Sequence, residues 1–318
     1  MFDVVALGEL LIDFTCQSVD DAGYPTMAAH PGGAPANFLA ALAKLGAKTA
    51  FLGKVGNDAF GKLLKNTLQE ANIDTSGLLV SDEVFTTLAF VTLDETGNRE
   101  FSFSRKPGAD TCISFEELDL SIIDNAKVFH FGTLSLTDEP AATATRKAVE
   151  YAKSKGKLIT YDPNLRKPLW KDLDFARHQL LWGMTKADVV KISDEEVAFL
   201  WGLGAEAGAR FILDNFDVKL VFVTCGAEGC IFRNAKAGGK VPALSGIQVV
   251  DTTGAGDIFG GSALWKLLQT GKTPESLDEM ELREIVRFAC TSAGLSTTKH
   301  GGISSVPMPE QVLSRLIK

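Results

Sequence analysis

The sequence predicts an α/β fold: a mostly parallel central sheet covered on both faces by helices, with a small second sheet attached. Three observations carry that expectation. Near-continuous apolar runs of strand length alternate with amphipathic helical stretches along most of the chain, as βαβ units do. The alternation breaks once, where two segments switch to period two around a turn sequence. The chain has 318 residues, enough for one large domain that buries roughly three-quarters of its unfolded surface without disulfide or metal staples.

The elements follow in order. Residues 2–7 read as a strand, and 34–45 as a helix with Phe38, Leu42 and Leu45 on one face. A strand at 48–52 leads to a helix at 57–71, where Phe60, Leu64 and Leu68 recur four apart. Later come strand 127–131, helix 140–155, strand 157–162, strand 187–192, helix 194–201 and strand 219–224. A strand at 246–250 and a helix at 255–269 close the pattern. The interruption lies at 86–94 and 99–105, which alternate with period two around the turn sequence 95–98. That is an antiparallel hairpin. Segments 10–14 and 27–30 can supply further strands to the same small sheet. A small sheet on a large α/β body is the architecture of a lid over a cleft. The expected lid comprises about 10–30 and 84–108, inserted twice into a single domain spanning 1–318.

Composition narrows the function. Hydrophobic residues at 45% and charged residues at 23% exclude disorder and low complexity. A net charge of −8 argues against nucleic acid or an anionic membrane as a partner, while leaving room for a local phosphate pocket. Cys16, Cys112, Cys225, Cys230 and Cys290 form no C-x-x-C pair, so no zinc or disulfide framework is written here. Asp3 and Glu9 stand where a signal peptide would carry basic residues. No apolar run approaches the ~18 residues of a membrane span. The expectation is a cytoplasmic, reduced protein.

The strongest motif is Asp251-Thr252-Thr253-Gly254-Ala255-Gly256-Asp257, just before an apolar helix. Two glycines around one alanine let the backbone approach a ligand, and amides at a helix start attract an anion. Asp257 then lies in the first turn beside that anion site. A carboxylate there suits a hydroxyl losing its proton as it attacks a phosphoryl group; the alternative is a carboxylate that only answers the helix dipole. Two decoys fall away. Gly271-Lys272-Thr273 lacks the P-loop glycine, with Lys266 in its place, and Gly8-Glu9-Leu10-Leu11-Ile12-Asp13 has too few glycines for a dinucleotide fingerprint. Near the N-terminus, Gly32-Gly33-Ala34-Pro35-Ala36-Asn37 opens a helix. Asn37 offers donor and acceptor, and Asp13 adds an acceptor, as hydroxyl-rich ligands require. The four histidines (His30, His130, His178, His300) form no metal-spaced cluster.

These two glycine motifs, about 220 residues apart, resemble the signatures of the ribokinase-like (PfkB-type) carbohydrate kinase family, over essentially the whole chain. The resemblance implies a three-layer α/β/α sandwich with a β-sheet lid. Within the family, Phe101-Ser102-Phe103-Ser104-Arg105-Lys106-Pro107-Gly108-Ala109-Asp110 and Tyr161-Asp162-Pro163-Asn164-Leu165-Arg166-Lys167-Pro168-Leu169-Trp170 are similar to fructokinases. It implies an ATP- and Mg²⁺-dependent sugar kinase, a fructokinase first, with a 2-keto-3-deoxygluconate kinase or a non-catalytic sugar- and nucleotide-binding paralogue as alternatives. Asp257 would be the general base, and the backbone of Gly254, Ala255 and Gly256 the anion hole. Asp13, Gly32, Gly33 and Asn37 would hold the sugar, with Arg105 on the lid and Arg166 closing over it or over the incoming phosphate. A surface ion pair remains the alternative for each arginine. Thr224, Gly226 and Gly229 resemble the phosphate-side turn. Ser193 and Glu196 stand where many members carry Asn-x-x-Glu, which organises magnesium; serine here replaces asparagine. Cys290 stands where some members place an asparagine near the purine. Asp251, Thr253, Ser296, Lys299, Gly301 and Ser305 match potassium-loop positions. A homodimer through the lid is left open.

Overall fold

The structure is a computed structural model that describes residues 1–93 and 99–316. In chain order its elements are β1 (Phe2–Leu7), β2 (Leu11–Val19), β3 (Pro25–Gly32), α1 (Ala34–Lys44), β4 (Thr49–Gly56), α2 (Ala59–Glu70), β5 (Ile73–Asp74) and β6 (Leu78–Ser81). Then come β7 (Leu88–Leu93), β8 (Arg99–Ser104), α3 (Leu120–Asp124), β9 (Ala126–Gly132), α4 (Ala141–Ser154), β10 (Leu158–Asp162), α5 (Leu173–Met184) and β11 (Val189–Ser193). The chain ends with α6 (Asp194–Trp201), α7 (Ala205–Asn215), β12 (Leu220–Thr224), β13 (Cys230–Asn234), β14 (Gly238–Val241), α8 (Ala255–Thr270), α9 (Glu279–Ser296) and α10 (Pro309–Leu316).

The large sheet runs β14-β13-β12-β11-β10-β9-β1-β4-β5, with β6 also paired to β4. From β12 to β5 every pairing is parallel, and β13 and β14 add an antiparallel edge. Side chains alternate between two cores, as strand geometry demands. Val4 and Ala6 of β1 join Phe51, Phe222 and Phe232 beneath α1, α2, α8 and α9. Val5 and Leu7 point the other way, to Phe129, Phe131 and Tyr161, under α3 to α7. Two buried faces explain why these strands read as unbroken apolar runs. The expected three layers are present. Among the described residues, no helix is long and apolar enough to cross a membrane.

The small sheet has the order β3-β2-β7-β8. β7 and β8 are antiparallel, β2 runs parallel to β7 with Ile12 opposite Leu88, and β3 returns antiparallel along β2. Both N-terminal segments therefore join the expected hairpin; its turn sequence at 95–98 lies outside the described residues. One expected element is absent. Residues 246–250 form no strand: Gly246 turns at φ 69, and Val249 and Val250 are 57% and 45% exposed. The amides of Val250 and Asp251 bond the Thr297 carbonyl instead of a strand partner. Apolar composition alone misread a surface loop.

The contact that places the site is between α1 and α8. A Cβ on Gly261 would lie 2.4 Å from the Phe38 carbonyl oxygen and 2.9 Å from the Ala41 Cβ. Only a bare glycine admits this approach, and it sets Asn37 against the first turn of α8. Gly261→Ala should therefore force the helices apart, costing about 1–3 kcal/mol, as overpacking does. A lowered melting temperature with reduced turnover is the expected result; an unchanged pair of values would mean the approach is not needed.

Candidate active site

The site forms at the C-terminal ends of β1, β10, β11 and β12, where open α/β sheets bind ligands. α8 begins there with Gly254 in the left-handed conformation (φ 74) and no side-chain cap. The Ala255 amide bonds the Thr252 carbonyl at 3.3 Å. The Gly256 and Asp257 amides that follow are first-turn donors without intrahelical partners. Together with the helix dipole they form an anion cradle at Gly254–Asp257.

Asp257 lies buried in that turn, 8% exposed, and its Oδ2 accepts from Asn37 Nδ2 at 2.9 Å. This bond joins the two glycine motifs directly. Burial pushes the Asp257 pKa up, while the Lys191 ammonium and the Asn37 bond pull it back down. Lys191 was not singled out in the sequence. It projects from β11, and its Nζ sits 3.0 Å from Asp162 Oδ2, on the end of β10. A Cβ on Gly256 would come within 2.8 Å of that Nζ, so the ammonium lies against the floor of the cradle. Burial disfavours its charge, but Asp162, Glu196 and Asp257 outweigh burial and hold its pKa above the ordinary lysine value. Asp162 itself is pushed up to about 7 by burial despite Lys191, and its Oδ1 has no hydrogen-bond partner among the described residues.

A cleft opens over this floor beneath the small sheet. Asp13, Gly33, Asn37, Arg166, Gly254 and Asp257 all line it, and Leu11, Val91 and Phe103 approach from the small sheet. Gly32 packs on Asp13: a Cβ there would sit 2.3 Å from Asp13 Oδ2. Burial raises Asp13 to about 6, against the pull of Arg166 and with a further push from Asp257 and Asp251. Two more residues reach the cleft unforeseen. Asn164, buried and in the left-handed region at φ 49, stands in a turn whose arginine drew the attention. Glu9 follows β1, accepts from the Ala34 amide at 2.9 Å and is raised to about 7 by burial.

The two arginines part company. Arg166 is exposed and lines the cleft, and among the described residues its side chain makes one hydrogen bond, a local 3.4 Å contact with the Leu165 carbonyl. Arg105, expected to close over the ligand or to sit in a surface ion pair, does neither. It is buried just beyond β8, with Nε 2.8 Å from Asp110 Oδ2, and it donates to Thr137 Oγ1 and the Leu134 carbonyl at 2.7 and 2.8 Å. All of its faces are occupied, so it ties the foot of the small sheet to the body. His130 is likewise structural: it stacks on Phe38 with ring centroids 3.7 Å apart, and burial lowers its pKa to about 3.

At the far end, the turn after β12 carries Gly226 and Gly229 at φ 52 and 97, with open space above Gly226 and Thr224 beside it. The Ser193 hydroxyl caps α6, and Glu196 returns the bond to the Ser193 amide. Cys290 faces the core near Cys230, and burial pushes its thiol up to about 12. The two loop segments matched to potassium positions do meet. Asp251 Oδ1 accepts from Thr253 and Asp251 Oδ2 from the Gly301 amide at 3.0 Å, while Ser296, Lys299 and Ser305 fold in the adjoining 296–305 segment.

These placements separate the arginines experimentally. Arg105→Ala strips a buried carboxylate of its partner, which costs about 3–5 kcal/mol, so its melting temperature should fall sharply. Arg166→Ala should melt within about 0.5 kcal/mol of the parent, as surface changes do, yet lose turnover. Equal effects on both measurements would refute the division.

Residues 1–309 match the model of the pfkB family carbohydrate kinases. The chain is 42% identical to fructokinase-1 of Zea mays across 99% of this chain and 98% of that one, and 42% identical to probable fructokinase-4 of Arabidopsis thaliana across 98% and 96%. Among solved structures, it superposes on a fructokinase with bound ATP from Xylella fastidiosa with a TM-score of 0.91 at 32% identity, covering 100% and 99% of the two chains. A fructokinase of Vibrio cholerae in its fructose-, ADP- and calcium-bound form gives 0.87 at 30%, covering 99% of each. With a family model matched over nearly its full length and curated relatives at this identity, the chain belongs to the pfkB family of carbohydrate kinases.

Proposed function

We propose that the chain is an ATP-dependent fructokinase, converting D-fructose and ATP to D-fructose 6-phosphate and ADP. One observation carries the reading: a buried carboxylate, Asp257, stands beside the open amides of a helix start at the floor of a cleft lined by mixed donors and acceptors. The relatives named above support the sugar and the nucleotide.

The chemistry follows from these residues. Asp13 and Asn37 hold sugar hydroxyls, and Gly32 and Gly33 let the ring come close to the backbone. The primary hydroxyl is thereby brought to Asp257, which accepts its proton as the oxygen attacks the γ-phosphorus. Gly256 and the neighbouring amides, with the Lys191 charge behind them, receive the negative charge that builds on the transferring group. Arg166 draws the sugar or phosphate oxygens in from the solvent side. The small sheet acts as a lid that excludes water from the transfer.

The nucleotide end fits a triphosphate. Gly226 leaves an open backbone cradle, and the exposed Val249 and Val250 give an apolar surface for a base. Mg²⁺ would be held through the Ser193–Glu196 turn and the nucleotide phosphates, and when bound it neutralises phosphate charge. K⁺ suits the all-oxygen donors of the 251–253 and 296–305 segments, whose contact at Asp251 would fix the cradle amides.

A coupled ADP-release assay over a sugar panel tests the assignment. Fructose should exceed 2-keto-3-deoxygluconate, ribose and adenosine at least tenfold in kcat/KM, a margin of about 1.4 kcal/mol. Potassium should raise kcat above sodium at equal ionic strength. A different sugar leading the panel would overturn fructose while sparing the kinase. No sugar-dependent ADP release would overturn the kinase reading.

A further inference from the structure

Glu196 reaches across the site in a way its expected magnesium role does not use. Its Oε2 accepts from the Ser193 amide at 2.8 Å and closes the cap of α6. Its Oε1 accepts from the Leu165 amide at 2.6 Å. Leu165 lies between Asn164 and Arg166, the two side chains that this turn sends into the cleft.

Glu196 is the carboxylate that holds the middle of that turn. Asn164 sits in the left-handed region at φ 49 and Arg166 at φ −116, ψ 87, so neither continues a strand or helix. The turn's other polar tethers lie on either side of Leu165: the Thr133 hydroxyl donates to the Pro163 carbonyl, and the Leu169 amide to the Arg166 carbonyl at 2.9 Å. Among the described residues, the Arg166 side chain bonds its own neighbour's carbonyl and no other group. An amide on a buried carboxylate is a charge-assisted bond, stronger than a neutral one. It comes from a helix that begins at the nucleotide end of the site.

We infer that Glu196 is a positioning residue for the sugar: its carboxylate clamps the Leu165 amide and so presents Asn164 and Arg166 to the ligand. The inference rests on the kinase reading for its choice of probe. It goes beyond that reading by giving a residue at the nucleotide end a share in sugar affinity before nucleotide or metal binds. Sugar and nucleotide ends are then joined through one side chain rather than only through the bound ligands.

The test is calorimetric binding of fructose to protein free of nucleotide and divalent metal. Glu196→Ala should weaken binding roughly tenfold, the loss of one bond to a charged group. Glu196→Gln keeps the volume and should fall between it and the parent. Adding Glu196→Ala to Arg166→Ala should cost less than it does alone, because the clamp acts through the turn. Val197→Ala loosens the same helix without touching the carboxylate and should bind fructose as the parent does. Affinity within twofold of the parent in Glu196→Ala, full additivity with Arg166→Ala, or an equal loss in Val197→Ala would each overturn the inference. A parent protein that binds no fructose would overturn the inference and the fructokinase reading together.

Discussion

The site depends on one electrostatic compensation. Asp162, Glu196 and Asp257 are brought out of water together, and Lys191 is the cation among them. Buried carboxylates without a counter-charge take up protons, and a protonated Asp257 could accept none from a substrate. The Lys191 charge, three strands from the edge of the sheet, opposes that tendency. Its position behind Gly256 gives the same ammonium a second effect, since an anion drawn to the cradle meets a positive charge beyond the backbone. Glu196 spends both of its oxygens on backbone amides, those of Leu165 and Ser193, while the Asp162 carboxylate pairs directly with Lys191.

The fold serves this arrangement by bringing distant glycines together. The motif that starts α1 and the motif that starts α8 are separated by most of the chain, yet Asn37 and Asp257 share a hydrogen bond. The central sheet fixes both helices on one face, and Gly261 lets them approach closely. The small sheet hangs over the result and is anchored by Arg105, whose pairing with Asp110 and the Leu134 carbonyl binds the foot of β8 to the segment after β9. Three different parts of the chain thus meet at one edge of the sheet.

Much of this was legible because it repeats along the chain. Apolar runs such as those of β9 and β12 marked a doubly covered sheet, and period two marked β7 and β8. The glycine motifs marked the starts of α1 and α8. What escaped notice depends on partners remote in sequence. Lys191 is one lysine in an apolar strand, and only the neighbouring ends of β10 and α8 give it meaning; a charge in a run otherwise destined for burial was the available signal. Arg105 looked like a lid residue because its partners, Asp110, Thr137 and Leu134, carry no local pattern. The 246–250 segment has strand-like composition, but no neighbouring strand is placed to pair with it. Asn164 was visible in its turn, but its left-handed backbone and its place in the cleft were not.

The central claim is that Asp257 takes the proton from the sugar hydroxyl, and Asp257→Asn tests it most directly. The substitution keeps shape and the contact with Asn37 but removes the base. Turnover, fructose affinity and melting temperature should be measured on the same preparation. The account predicts a kcat lower by on the order of 10²–10⁴, with fructose affinity and melting temperature changed little. Near-normal turnover with an altered melting temperature would contradict it and reduce Asp257 to a residue that merely completes the start of α8.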